Sequence, residues 1–322
     1  VKNSGIKNMY KSLLIGCGNI GALYDLETEE ILTHAKAYFQ HPDFEFSIHD
    51  SNLSLLKRIS EKYSVESVIK IEDEDFSKYD CISICTPTPT HFHFLERAIE
   101  SNVKVIICEK PIASDDLEIN KLISLYKEKK TKILVNYIRR FQKPFRELRE
   151  SIQAILTLEK LTNISIRYQK GFLNNCSHAF DLIQFLLNKE LDLKNVNKTN
   201  LVFDHFEYDP TLCLTGLWNE TNINVLGLSN VKFPFFEIEF FFENQRISIS
   251  NSGQNIDFYS NRQSGKNYSP LVRLEESKKE CLKNYMKPII DYAHTILSDL
   301  TLEDNFMSSA TLNKKMLEYL KR

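Results

Sequence analysis

The chain has 322 residues, which at about 100–200 residues per domain predicts two domains, and its 42% hydrophobic and 26% charged content excludes disordered, collagenous and coiled-coil chains. Lys and Arg number 41 against 43 for Asp and Glu, a net charge of -2, so the positive field of a nucleic-acid-coating protein is missing. Apolar runs such as 103–108 are far too short to span a bilayer, residues 1–10 read as a polar tail, and seven cysteines without a tight framework fit a reduced, cytoplasmic setting.

From residue 10 onward, short apolar runs alternate with amphipathic helical patterns. A run at 13–15 precedes a glycine cluster, and a second at 44–49 ends at Asp50. Leu53, Leu56 and Ile59 then recur at helical spacing over 53–63. Segments 81–85, 103–108 and 132–137 continue the strand series, with helices predicted over 92–100 and 116–129. This rhythm predicts a doubly wound α/β fold, a parallel sheet built by right-handed crossovers, with strands covered on both faces.

The rhythm changes after a helix at 145–156. Strand candidates then dominate, at 163–168, 200–206, 211–218, 222–228, 235–243, 246–250 and 256–259. Arg246-Ile247-Ser248-Ile249-Ser250 alternates as an antiparallel strand with one covered face does. Helices are predicted to return at 275–297 and 308–320. The boundary falls near 136–140, giving a nucleotide-binding-type α/β domain over 1–138 and an α+β domain over 139–322. A single large α/β domain is the alternative.

Three of only nine glycines, Gly16, Gly18 and Gly21, fall in the loop Gly16-Cys17-Gly18-Asn19-Ile20-Gly21 between a predicted strand and a helix-like segment. In a dinucleotide fold the first glycine turns the chain and the second lets the backbone reach a pyrophosphate. The third lets the helix pack on the strand, and the helix N-terminus offers amides and a positive dipole end. A purely structural turn is the competing reading. Asp50 ends the second strand, where a carboxylate can accept from the adenosine ribose hydroxyls and repel a 2′-phosphate. That favours NAD over NADP, although Lys57 and Arg58 follow closely; the other role for Asp50 is a cap of the next helix. Residues 25–33 read as an inserted loop that lengthens the glycine-to-Asp50 spacing.

Cys85-Thr86-Pro87-Thr88-Pro89-Thr90-His91 and Glu109-Lys110-Pro111 lie at carboxyl ends of predicted parallel strands, where open α/β sheets place ligands. An ammonium at Lys110 could stabilise alkoxide character during hydride transfer; a solvated surface lysine is the plain alternative. Residues 171–182 lead into an apolar helix, with His178 in its first turn, where the dipole disfavours the imidazolium. A neutral imidazole is what removal of a hydroxyl proton requires, while a capping histidine held by Asn174 or Asp181 is the alternative. His178 with Asp181, and His91 with His93, make no complete metal set, so no metal is expected. No cysteine has a histidine at a spacing that marks a nucleophile.

Together these residues resemble the family of glucose–fructose oxidoreductase, inositol dehydrogenase and MocA proteins (Gfo/Idh/MocA). The similarity runs through Gly16–Gly21, Cys85-Thr86-Pro87 with His91, Glu109-Lys110-Pro111, Arg139-Arg140-Phe141 with Pro144, and Ser177-His178 with Asp181-Leu182. It implies an N-terminal Rossmann domain and a C-terminal domain on a large, mostly antiparallel open sheet, often the interface of a homo-dimer or homo-tetramer. It also implies NAD(P)-dependent chemistry on a sugar, polyol or sugar nucleotide, with Lys110 the catalytic lysine and His178 the acid/base histidine. Many members carry Asp four residues before that histidine; here it is Asn174, which can orient an imidazole but not stabilise its cation. The loop residues Asn19 and Ile20, with Thr86, Pro87, His91 and Glu109, are then expected around the coenzyme. Arg139, Arg140, Tyr168, Lys170, Asn175 and Asp181 are expected around the substrate. The run Tyr168-Gln169-Lys170-Gly171 with Asn174-Asn175 leans toward members linked to surface-polysaccharide synthesis. A nucleotide-bound sensor that kept the fold and lost turnover is the competing class.

Overall fold

The computed structural model describes residues 9–261 and 270–321; the polar tail read for 1–10 lies, up to residue 8, outside them. The chain divides into two units. The first comprises Val1–Ile138 with Asn284–Ala310, the second Arg139–Lys283 with Thr311–Arg322. A reading in chain order assigns 284–310 to the second domain; the structure packs it with the first.

The first unit carries β1 (Tyr10–Ile15), α1 (His34–Gln40), β2 (Phe44–His49), α2 (Leu53–Tyr63), β3 (Cys81–Ile84), α3 (His91–Glu100), β4 (Val105–Cys108), α4 (Asp116–Glu128) and β5 (Lys132–Val135). The strands form one parallel sheet in the order β2-β1-β3-β4-β5. β3 and β4 are buried at every position, which is why they read as unbroken apolar runs. Asn52 caps α2 through the Ser54 and Leu55 amides, and Asp115 caps α4 through those of Leu117 and Glu118. β5 is the sheet edge, and the return segment closes it. The Ile133 amide donates to Asp304 at 3.0 Å, and Asn305 both accepts from the Val135 amide and donates to its carbonyl, at 2.8 and 2.9 Å.

The order of strands reverses between β1 and β3, so the crevice outside their carboxyl ends is the expected ligand position of this fold. The stretch after β1 is not the helix that the glycine spacing suggests. It is a single π turn, Asn19–Leu23, followed by the loop read as an insertion. Asp25 organises that loop, accepting from the Leu32 amide and from the Thr33 amide and hydroxyl at 2.7 to 2.8 Å.

The second unit begins within α5 (Ile138–Phe141) and continues with α6 (Lys143–Leu156), then β6 (Leu161–Tyr168) and α7 (Ser177–Leu187). It continues through β7 (Leu193–Val202), β8 (Thr211–Trp218), β9 (Thr221–Gly227), β10 (Phe236–Phe242), β11 (Gln245–Ser250), β12 (Asn255–Asn261) and β13 (Leu271–Arg273). These strands make an eight-stranded sheet, β13-β12-β11-β10-β6-β9-β8-β7, antiparallel except for the β6–β9 pair. Strict alternation of buried and less buried positions along β9 and β10 gives it one covered face.

The helix α8 (Lys287–Ser298) belongs to the first unit, and α9 (Phe306–Lys321) starts in the first and ends in the second. The helix expected over 275–297 exists only from Lys287. Glu280 and Asn284 have φ near +53° and +52°, which stops helical winding, and Pro288 suits the first turn of α8. The strand expected at 200–206 is instead β7, and β13 was not foreseen. Both are edge strands. β7 has two register shifts, with Asn195 and Asn200 at positive φ, so no period of two survives along it.

Candidate functional site

Around the loop after β1, the three glycines have three different surroundings. A Cβ on Gly16, whose φ is +96°, would stand 2.7 Å from the Cys85 carbonyl group, and one on Gly21 would stand 2.1 Å from the Gly16 carbonyl oxygen. One on Gly18 would meet nothing within 4 Å. The first glycine lets the turn pass over β3, the third seats the π turn on the loop, and the middle one leaves open space beside bare backbone. That division is what a pyrophosphate cradle requires, so the residues present fit a dinucleotide. With only five residues in the π turn, little macrodipole is available; the backbone amides are what this loop offers.

Asp50 ties this loop to the end of β2. One carboxylate oxygen accepts from the Cys17 amide at 2.7 Å and the other from the Asn52 amide at 2.8 Å. The helix cap is Asn52, not Asp50. Each Asp50 oxygen keeps a second lone pair, so ribose hydroxyls remain possible donors to it.

After β3, the Thr90 hydroxyl donates to that of Thr86 at 2.7 Å. His91, expected to touch the coenzyme, is instead buried, with Nδ1 2.8 Å from the Pro111 carbonyl oxygen and Nε2 2.7 Å from that of Thr86. It ties the Thr86-Pro87 loop to the Glu109-Lys110-Pro111 loop, and burial pushes its pKa below the ordinary value despite the carbonyls and Glu109. Pro87 begins the short turn that leads into α3, and Lys110 precedes a cis peptide bond to Pro111.

Glu109 is the centre of a polar cluster that the sequence did not disclose. Its Oε1 lies 3.1 Å from His34 Nε2 and accepts from Asn136 Nδ2 at 2.5 Å; His34 Nδ1 lies 3.2 Å from the Ser83 hydroxyl, which lies 2.8 Å from that of Tyr38. Burial alone would raise the Glu109 carboxyl. The hydrogen bond and electrostatic attraction of His34, the Asn136 hydrogen bond and the Lys110 charge outweigh it and hold Glu109 below its ordinary value. Asn136 Oδ1 is buried with no hydrogen-bond partner among the described residues. Cys85 Sγ joins His34 and Glu109 within 4.8 Å, a composition that could ligate a metal. Burial pushes that thiol well up, so it is neutral at pH 7, and His34 and Glu109 already bond to each other. The missed signal was the pair His34 and Tyr38, four apart on one helix face.

In the second unit, a π turn at Phe172–Cys176 runs directly into α7. His178 is the second residue of α7, in its first turn as the sequence suggests, with the π turn continuing the winding on its N-terminal side. The amides at that end, Leu173 and Asn174, donate to Asp209 at 2.7 Å each. The Asn174 amide group donates to the Lys170 carbonyl at 3.1 Å and that of Asn175 to the Gln169 carbonyl at 2.7 Å. His178 is half-buried and Lys170 exposed.

Four of the six expected substrate residues are committed to the protein. Arg140 grips Asp181 with two parallel bonds, Nε to Oδ2 at 3.0 Å and Nη2 to Oδ1 at 2.5 Å. Burial pushes the Asp181 carboxyl up, and Arg140 pulls against it. Arg139 is buried, donates to the Ser252 carbonyl at 3.0 Å and lies 3.8 Å over the Phe236 ring. Burial lowers its guanidinium to about 9, against the attraction of Asp181. Tyr168 has no exposed surface, and its hydroxyl donates to the Leu212 carbonyl and accepts from the Leu212 amide, both at 2.9 Å. The other two are Lys170, which is exposed, and Asn175, which is half-buried.

Comparison with known proteins agrees with the first unit's geometry. Residues 10–137 match the model of an oxidoreductase family with an NAD-binding Rossmann fold. The chain is 29% identical over 191 residues to an inositol 2-dehydrogenase of Rhizobium meliloti, covering 55% of this chain and 54% of that protein. The alignment thus spans about half the length of this curated relative. The solved structure of a UDP-N-acetylglucosamine 3-dehydrogenase from Acidithiobacillus ferrooxidans superposes with a TM-score of 0.76 at 17% identity, covering 96% of each chain. A 3-ketoreductase from Actinomadura kijaniata, solved with NADP, gives 0.69 at 14% identity and 95% of each chain. At those identities the two structures speak for the fold. Among the described residues no helix is long and apolar enough to cross a membrane.

Proposed function

We propose that the chain, whose residues 10–137 match the Gfo/Idh/MocA oxidoreductase family, is an NAD(P)-dependent oxidoreductase acting on a carbinol of a sugar or nucleotide sugar. The observation that carries the proposal is the open space at Gly18 between two closed glycines, at the strand-order reversal. A bound nicotinamide supplies the hydride acceptor or donor. Lys110 is assigned the stabilisation of negative charge on the substrate oxygen, and His178 the holding of the hydroxyl proton at an imidazole nitrogen. Gly16, Gly18, Asn19, Ile20 and Gly21 would hold the diphosphate. Asn174 is assigned the orientation of the loop before His178, which its bond to Lys170 supports.

NAD is the preferred coenzyme in this reading, because a carboxylate at the end of β2, with lone pairs to spare, suits ribose hydroxyls and repels a 2′-phosphate. The narrower assignment, a nucleotide sugar for surface-polysaccharide synthesis, rests on Lys170 and Asn175. A homo-oligomer is supported by the second unit, where Leu201, Phe203, Leu226 and Phe233 are each more than 40% exposed on or beside the sheet.

The test is nicotinamide absorbance across a panel of polyols, sugars and nucleotide sugars with NAD and NADP. Lys110→Ala and His178→Ala are each expected to lower kcat by about 10²-fold or more with coenzyme affinity nearly unchanged. Equal turnover in either variant removes that residue from the mechanism. Tight coenzyme binding with no turnover on any compound would favour the sensor class.

A further inference from the structure

The cluster around Glu109 reads as a directed chain of protons. An ionised carboxylate can only accept, so His34 must donate from Nε2 across the 3.1 Å contact. In the tautomer that carries its proton only on Nε2, Nδ1 accepts, and the Ser83 hydroxyl is then the donor across 3.2 Å. Ser83 Oγ can then accept from the Tyr38 hydroxyl at 2.8 Å, which also lies 3.3 Å from Cys81 Sγ. The chain ends on the carboxylate immediately before Lys110. Asn136 adds a second donor to the same Oε1 from the end of β5. Three strand ends and α1 therefore converge to fix one oxygen atom. A metal in the same place would have to break the His34–Glu109 bond and deprotonate a buried thiol.

We propose that His34 is a positioning residue for the chemistry assigned to Lys110: its Nε2–H fixes the Glu109 carboxylate as an oriented anion beside the lysine and so keeps the ammonium placed and charged. This rests on the oxidoreductase reading above. The titratable groups facing Glu109 are His34, Lys110, His91, Tyr285 and the thiols of Cys85 and Cys108. Burial pushes the two thiols and Tyr285 up and His91 down. Loss of the His34 donor therefore shows as a rise of the Glu109 carboxyl, and the acid limb of turnover moves toward neutral pH.

The experiment compares the full chain as wild type, His34→Gln and His34→Leu. The glutamine side chain carries an N–H in place of Nε2–H, and leucine carries none. In His34→Leu, kcat is expected to fall at least about tenfold with coenzyme Kd within about twofold, and the acid limb to rise by about one unit. In His34→Gln both are expected to stay near wild type. The Glu109 carboxyl is followed by ¹³C NMR, assigned with Glu109→Gln, and should titrate higher in His34→Leu only. An unmoved Glu109 midpoint or acid limb in His34→Leu overturns the proposal, as does an equal kinetic loss in His34→Gln. If His34→Leu does not fold, His34→Ala, which also lacks the donor, takes its place, with the same expected rise in Glu109. A wild type that turns over nothing on the panel fails the oxidoreductase reading alone, because the NMR titration uses no substrate and still decides whether His34 holds Glu109.

Discussion

At the carboxyl edge of the parallel sheet, polar atoms are fixed by neighbours but keep capacity to spare, whereas in the second unit the charged groups close on one another. Asp50 accepts one amide at each oxygen and keeps lone pairs; Asn136 donates to Glu109 and leaves its oxygen without a partner among the described residues; Gly18 faces open space. Arg140 and Asp181 use a parallel pair of bonds on each other, and Tyr168 uses both roles of its hydroxyl on one peptide unit. A ligand site needs residual donors, acceptors and volume. Charge and residue type alone do not distinguish a site from a brace.

The sharpest way to break this comparison is to cut the brace. Arg140→Met strands the Asp181 carboxylate in a site where the two side chains are 11% and 1% exposed, and is expected to lower unfolding free energy by about 3–5 kcal/mol. Arg140→Met with Asp181→Leu should recover part of that, since neither member of the pair is then a buried lone charge, while buried Arg139 loses the attraction of Asp181. The pH dependence has a definite sign. Burial already pushes Asp181 up, and losing Arg140 removes the larger of the two groups that pull it down, Arg139 being the other. The deficit is therefore full at neutral pH and shrinks as pH falls through the variant's raised carboxyl pKa, where the acid folds uncharged. Denaturant unfolding at a series of pH values measures this. Substrate KM unchanged in a correctly folded double variant would agree with a bracing role, and a large KM increase would return Arg140 or Asp181 to the substrate site.

Next in size is a contrast within the glycine loop. Gly21→Ala forces a Cβ to 2.1 Å from the Gly16 carbonyl oxygen and is expected to destabilise the fold by about 1–3 kcal/mol. Gly18→Ala meets no atom within 4 Å and should leave the melting temperature of the coenzyme-free protein unchanged. Its methyl group would nevertheless stand in the proposed diphosphate position, weakening coenzyme binding about tenfold or more, or 1.4 kcal/mol. Calorimetric titration decides. Equal coenzyme affinity in wild type and Gly18→Ala would make the loop an ordinary structural turn.

What could be read from the sequence follows from how far each signal reaches. Continuous apolar runs announce β3 and β4 because every side chain there is buried, and the alternating β9, β10 and β11 are equally plain. The glycine loop is legible because its residue types answer to backbone geometry within six positions. The sheet edges β7 and β13 are not, since an edge strand with bulges has no period to display. Nor are the partners of charged residues. Arg140 finds Asp181 across 41 positions and His34 finds Glu109 across 75, and no local pattern records either choice. The return of α8 to the first unit is of the same kind: Asn305 meets β5 across 170 positions.

The smallest expected effect concerns Asp50, which stands between the two classes: it braces the loop and yet keeps acceptor capacity. Asp50→Asn retains one carbonyl oxygen and puts an amide group where the other oxygen accepted a backbone N–H, a change expected to cost about 1 kcal/mol of stability. If the carboxylate also receives the ribose hydroxyls, NAD affinity should fall several-fold. With its charge gone, repulsion of a 2′-phosphate disappears, so the ratio of NADP to NAD affinity should rise by about tenfold or less. Parallel titrations with both coenzymes separate these outcomes. A ratio that stays put while stability falls would leave Asp50 a brace alone and remove the basis for preferring NAD. A ratio that rises with little loss of stability would show the spare lone pairs of Asp50 to be the part of the residue that faces the ligand.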